Sequence, residues 1–166
     1  MVRARGLCKH RRRRLSRALA FALLLAGVLP AAAEPAPADP GVLILVTETG
    51  GFQLAVEVAD TPAARRQGLQ GRPKLAENAG MLFDFRTPQR VAMWMLNTYI
   101  PLDMLFLDDD GRVVAIAKNT VPLSLDRIGI EDPVRAVLEM QAGVVDRLNV
   151  RAGDRVCHPI YPRNAC

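Results

Sequence analysis

Between Met93 and Gly111 the chain reads MWMLNTYIPLDMLFLDDDG, and no other stretch gathers so many side chains able to bind or react. Trp94, the sole tryptophan, offers either an indole wall for a pocket or a plug for one end of a β structure. Asn97 and Thr98 suit a turn held by side-chain bonds to nearby backbone, or a polar cluster converging on a small molecule. Pro101 stiffens the approach to Asp103. Farther along, Glu139 supplies a second carboxylate, and Arg72 supplies a cation. Such a set fits acid-base chemistry in a small hydrolase or transferase with Asp103 or Glu139 as base, or a structural ion pair under a loop. No activated nucleophile can be assembled around it. A binding or accessory module, with a concave site built from Arg72, Trp94, Asn97, Thr98 and Asp103, is therefore the favoured reading over an enzyme.

The remaining candidates are weaker. Asp108, Asp109 and Asp110 precede Gly111, but a calcium loop alternates its ligands and closes on a distant glutamate. A solvated hairpin tip is the better account. Cys157 and His158 are adjacent along an extended segment and point to opposite faces, which does not suit a thiol mechanism. Cys157 and Cys166 lie nine positions apart, so an oxidising compartment permits a disulfide between them; the alternative is a strand cysteine beside a free tail thiol. Without a CxxC pair, these residues fall short of a zinc ligand set. No phosphate-binding loop, dinucleotide fingerprint or nucleophile elbow is present, and no cofactor is expected.

The elements that must position these residues follow from a two-residue apolar period. Phe52, Leu54, Val56 and Val58 share one face and Gln53, Ala55 and Glu57 the other, the pattern of a half-buried strand. Strands are expected at 42–47, 52–59, 81–85, 91–95, 104–107, 113–118, 134–140 and 154–158. On the last but one, Glu139 shares its face with Arg135 and Val137. Gly50 and Gly51 are expected to turn the first pair, and Asp108 to Gly111 to close a hairpin. Helix is scarce: one begins at Asp60 or Thr61 as N-cap, with Pro62 in first position, and runs to about Leu69. A second short turn covers 144–148. The fold class is mainly β, a compact antiparallel sandwich or barrel of about eight short strands with one or two short helices.

The central block, together with GLQGR at residues 68–72, GMLF at 80–83, VLEMQAG at 137–143 and GD at 153–154, resembles the uncharacterised family known as domain of unknown function 192. The resemblance spans essentially the whole region after residue 41. It implies a compact, mainly β sandwich or barrel and no established activity. Leu96 stands where that family usually has lysine, and Gln70 where it often has methionine. A mechanism built on that lysine does not carry over.

The first 33 residues read as an export signal. Eight basic residues precede an apolar run at 18–29, then Pro30 and Ala31 to Ala33 before Glu34, the order of a cleavable signal peptide. The run is too short to cross a bilayer, which takes roughly 20 residues. LAGV at 25–28 resembles a lipoprotein box without its cysteine. Arg13 and Arg14 fit a twin-arginine signal poorly, so general secretion is expected. Removing the leader leaves 14 basic against 17 acidic residues, a net charge of about −3. That balance argues against a nucleic-acid partner. The expected product has a flexible linker at 34–41 and a single β-rich domain at 42–166. It is periplasmic or secreted, meets the membrane only during export, and acts as a monomer on a small molecule or an envelope protein.

Overall fold

A computed structural model describes residues 41–161. The expected signal peptide, nearly all of the linker, and Cys166 lie outside the described residues. Nine strands and two helices follow in chain order. They are β1 (Gly41–Thr47), β2 (Gly50–Ala59), α1 (Pro62–Gln67), β3 (Ala79–Gln89), β4 (Ala92–Met93), β5 (Leu102–Leu107), β6 (Val113–Ala117), β7 (Ile128–Gly129), β8 (Val134–Gln141), α2 (Val144–Arg147) and β9 (Arg155–Cys157). All eight strands legible in the sequence are present; β7 is additional, two residues long, and pairs only with β4.

Seven strands form one sheet in the order β6-β5-β8-β3-β2-β1-β9. It curls until its edges meet. Val156 N donates to Gly111 O at 2.7 Å, Val113 N donates to Asp154 O at 2.8 Å, and Arg112 bridges Arg155. Of the two architectures expected, the sheet approaches the barrel: it is a curled half-barrel whose edges touch at one bridge, Arg112 opposite Arg155, which covers part of the open strand surface. Gly111 sits where this closure is tightest. Its φ is +75°, and a Cβ there would lie 2.5 Å from Val156 O, so any side chain would force the seam apart.

The sheet is not purely antiparallel, as the sequence had implied. β2 and β3 run parallel, Ala55 opposite Ala79 through Ala59 opposite Phe83. A parallel pair needs a long crossover, and residues 60–78, with α1 inside them, supply it. α1 starts as expected: Thr61 Oγ1 accepts from Ala64 N at 3.1 Å, and Pro62 occupies the first turn. The β1–β2 turn is displaced from its expected position. Thr47 pairs with Gly50, so Glu48 and Thr49 make the turn and Gly50 and Gly51 belong to the strand. At the other hairpin Asp108 Oδ1 accepts from Asp110 N at 2.9 Å and Arg112 N at 2.8 Å, a self-bonded aspartate turn.

Two apolar layers flank one wall. Leu43, Leu45, Leu54, Val56, Leu82, Leu105, Leu138 and Met140 fill the barrel. Phe83, Met104, Phe106 and Val137 point outward into a second cluster with Leu69 and Met95. The wall of β3, β8 and β5 is therefore buried on both faces, and all six residues of β5 are buried. Such a strand reads as a continuous apolar run rather than an alternating one. The cover over its outer face is α1 with the segments around β4 and β7, and it is this cover that makes room for a site.

Candidate functional site

A cleft of about 370 Å³ opens between α1, the outer face of β3 and β8, and residues 89–98. Its position follows from local chemistry. Gly68 ends α1 with φ +49°, and a Cβ there would lie 3.2 Å from Phe83 Cζ; the missing side chain lets the end of the helix close down on the wall. Arg65 Nη1 donates to Asp60 O at 2.9 Å and Asp84 O at 2.7 Å. The same guanidinium lies 5.5 Å over the Phe85 ring, a cation–π arrangement that fixes the helix against β3. On the far side, Met95 N donates to Ser124 O at 3.0 Å and Leu123 N to Thr98 O at 3.1 Å, holding the 94–98 turn in place. Apolar walls come from Leu69, Phe83, Phe85 and Met93, and Arg65, Arg66 and Arg90 bring positive charge to the lining.

Glu139 is the unusual member of the lining. It is 4% exposed, and its partners across the strands are Met81 on β3 and Met104 on β5. Among the described residues no hydrogen bond or ion pair reaches its carboxyl. Burial alone pushes its pKa up to about 8, because a low-dielectric surrounding disfavours the charged form. Burial thus favours the protonated form of Glu139, which offers a donor to the cleft.

The residues singled out from the sequence divide. Trp94, 49% exposed, and Thr98 line the cleft together with Glu139; Thr98 Oγ1 donates to Leu96 O at 3.3 Å. Arg72, Asn97 and Asp103 do not line it. Arg72 makes two parallel bonds to Glu57, Nη1 to Oε1 at 2.5 Å and Nη2 to Oε2 at 2.6 Å, and that bond raises its pKa while burial opposes the rise. Asn97 takes φ +53° in the turn, and its Nδ2 donates to Gln70 Oε1 at 3.4 Å. Asp103 is fully buried. Its Oδ1 accepts from Asn119 N at 3.0 Å, and its Oδ2 accepts from Gly143 N and Val145 N, each at 2.9 Å. It clips α2 and the 118–120 turn to β5.

Arg135 departs from the face assigned to it. Its Nε donates to Asp84 Oδ1 at 2.9 Å, Nη1 to Asp109 Oδ1 at 3.3 Å and Nη2 to Ile160 O at 3.2 Å. The register of β3 against β8 shifts between Asp84 and Gln89, which breaks simple alternation there. Burial would raise the Asp84 pKa, but the Arg135 bond, the Arg86 N–H and the two guanidinium charges outweigh it and hold the carboxyl below its ordinary value. Cys157 is disulfide-bonded; Cys166, the partner the sequence offers, lies outside the described residues. Among the described residues no group of three or more His, Cys, Asp or Glu side chains is placed to hold a metal ion.

Sequence reasoning missed Arg65, Arg66, Phe83, Phe85 and Arg90 as cleft residues. GMLF and the helix were both visible, but only the parallel β2–β3 crossover brings α1 over Phe83.

The family model for domain of unknown function 192, described as Uncharacterized ACR, matches residues 44–158. The chain is similar to a Sinorhizobium meliloti 1021 protein described as a candidate transcription regulator. Identity is 44% over 77% of this chain and 99% of that one, with a TM-score of 0.73. It is also similar to a protein of unknown function from Novosphingobium aromaticivorans DSM 12444, at 34% identity over 76% of this chain and 91% of that one, with a TM-score of 0.71. No curated protein matches.

Proposed function

Because this chain belongs to the domain of unknown function 192 family, which carries no assigned reaction, we propose from its own geometry that it is an exported binding or accessory module taking a small molecule in the cleft over Glu139. The observation that carries the reading is the unpartnered Glu139 carboxyl. A carboxyl buried in the wall, with no protein partner and open to a cavity, is a functional candidate. Apolar walls with a few convergent polar groups are the usual make-up of small-molecule sites.

Export to the periplasm is supported by the order of charge, apolar run and alanines in residues 1–33, and by the disulfide at Cys157, a bond favoured in oxidising compartments. In this reading the protein acts as a monomer and meets the membrane only while crossing it. The transcription-regulator description of the Sinorhizobium protein is not carried to this chain, because a mature net charge of about −3 offers no general basic field for a nucleic acid. A second reading has one observation behind it: an acid with a pKa of about 8 suits a proton donor at neutral pH, as in a small hydrolase or transferase. Asp103 is not part of that reading, since both its oxygens are taken by backbone amides.

The test is a thermal-shift screen of the protein against envelope metabolites, sugars, peptides and nucleotides, with Glu139→Ala beside the wild type. A ligand at a hundredfold excess over its Kd stabilises by about 2.7 kcal/mol, a readily measured rise in midpoint. A hit lost in a still-folded Glu139→Ala supports the cleft. If no class raises the midpoint, the small-molecule reading fails and a protein partner takes its place. Release of product from a hit compound would favour the enzyme.

A further inference from the structure

Resting on the binding reading above, we infer that the cleft takes an apolar-bodied anion whose charged group stays outward by Arg66 and Arg90 while an uncharged acceptor oxygen turns inward to the Glu139 carboxyl. Three features of the lining combine to select this class.

The first is the deep end. Glu139 is buried, lines the cleft and has no partner among the described residues. The strands on either side present only Met81 and Met104 to it. One strand farther, Glu57 on the same face opposite Met81 is already neutralised by Arg72. No cation from the wall therefore meets the carboxyl, and in its neutral form it offers an O–H donor. The complementary ligand atom is an acceptor that brings no proton of its own: a ketone, ester or ether oxygen.

The second is the charge around the opening. α1 contributes Arg65 and Arg66, and the 89–98 segment contributes Arg90. Arg65 is spent on two backbone carbonyls and the Phe85 ring. Arg66 is exposed, and although its carbonyl accepts from Gln70 Nε2 at 2.7 Å, its guanidinium forms no ion pair or hydrogen bond among the described residues. Arg90 reaches Glu131 only at 3.7 Å, with both side chains largely exposed, and pairs of that kind contribute little. The Arg66 guanidinium, unpaired among the described residues, and the Arg90 guanidinium, held only by that exposed pair, can thus meet an anion, and three arginines against one carboxyl repel a ligand cation that would otherwise ionise Glu139. The third feature is the body of the cleft, where Phe83, Phe85, Leu69 and Met93 offer apolar surface to a ligand body, alongside the uncharged side chains of Gln67, Gln70, Gln89 and Thr98.

Trp94 gives the readout. It is the single tryptophan and lines the cleft while half exposed, so its fluorescence reports occupancy. The protein is titrated with octanoate, with an oxooctanoate whose ketone lies at the end remote from the carboxylate, and with octylamine. Titrations are run below and above the Glu139 pKa of about 8. The keto acid is expected to bind about tenfold tighter than octanoate at the lower pH, the worth of one satisfied buried donor. That advantage disappears at the higher pH, where an ionised carboxylate faces the ketone oxygen. Glu139→Gln, whose amide still donates, keeps the advantage at both pH values. Arg66→Ala combined with Arg90→Ala weakens both acids by a similar factor and leaves their ratio unchanged.

Tighter binding of octylamine than of either acid would overturn the anion assignment while leaving the cleft a binding site. Equal binding of the two acids at both pH values would overturn the role given to Glu139. Silence from all three probes overturns the ligand class. A hit in the broader thermal screen would then confine the failure to this inference, and silence there as well would remove the binding reading with it.

Discussion

Asp103 and Glu139 sit on adjacent strands yet on opposite faces of the same wall. Met104 is the partner of Glu139 and Met140 that of Asp103, so the two carboxyls are one step out of phase and the sheet lies between them. Asp103 faces backbone amides at one end of the barrel, and Glu139 faces the cleft. The pair that the sequence offers as acid and base cannot share one substrate. Each carboxyl instead has its own physics, and the predictions separate them.

For Asp103 the expected loss is structural. Replacement by alanine leaves three backbone amides, those of Asn119, Gly143 and Val145, without their acceptor, the Val145 amide in a buried place and the other two in partly buried ones. The cost is about 3 kcal/mol, near 1 kcal/mol for each bond with more for any amide left dry. Asp103→Asn loses less, since one oxygen remains, but its amide then faces an N–H donor. Urea denaturation gives the ordering wild type, Asn, Ala. A cleft ligand should bind the folded Asp103→Asn protein with unchanged affinity; a large loss there would place Asp103 in the site after all.

For Glu139 the prediction is a pH dependence of stability. Its folded pKa of about 8 stands above the ordinary 4.5, so between those values the native chain holds a proton that the unfolded chain has released. Unfolding is then favoured as pH rises, and stability falls across that window and levels off above it, by a total on the order of a few kcal/mol. Glu139→Gln cannot ionise and should remove that decline. Thermal midpoints of the two proteins should diverge as the pH rises from the ordinary carboxylate range toward about 8 and run parallel above it. Curves parallel throughout would mean that Glu139 is charged in the native state and already has a counter-ion.

Much of the architecture was legible because its causes are local. Thr61 followed by Pro62 specifies a helix start by capping and a fixed φ, and β1 and β2 announce themselves by alternation. What was hidden depends on pairing between distant segments. The parallel register of Ala55 with Ala79 cannot be read from either strand alone, and α1 over the wall depends on it. Arg72 looked free as a binding cation because nothing in GLQGR points to Glu57, fifteen residues earlier. Glu139 stood out as a carboxylate in a strand. Its lack of a partner, the property that matters, is set by two methionines from other strands.

The Asp84–Arg135 pair should behave as a buried clamp. Their side chains are 8% and 17% exposed, and Arg135 also ties the Asp109 hairpin tip and the Ile160 carbonyl to the same end of the barrel. Arg135→Met leaves the Asp84 carboxylate with the Arg86 N–H but no adjacent guanidinium from β8, at a cost of roughly 3 kcal/mol. The Asp84 pKa is lowered in the folded chain, so its contribution is present above the ordinary carboxylate range and fades as the pH drops through the folded value. The penalty of Arg135→Met should therefore shrink in acid. Denaturant titrations at neutral and acidic pH check the sign, and a penalty that grew in acid would contradict it.

Tyr161 makes the opposite prediction, a polar atom whose removal helps. The residue is 5% exposed and belongs to the core inside the barrel, with its ring against Gly111 at the seam. Its hydroxyl is buried without a hydrogen-bond partner. Burial pushes the phenol pKa above its ordinary value, as expected when the charged form has nowhere to be solvated. The ring fills the core and the oxygen adds only desolvation. Tyr161→Phe should accordingly leave stability unchanged or raise it by up to about 1 kcal/mol, whereas Tyr161→Ala should lose about 3–5 kcal/mol through the cavity it opens. Equilibrium unfolding of the two variants separates packing from polarity. A loss of 1 kcal/mol or more in Tyr161→Phe, the worth of a made hydrogen bond, would show that the hydroxyl bonds an ordered water at the barrel end.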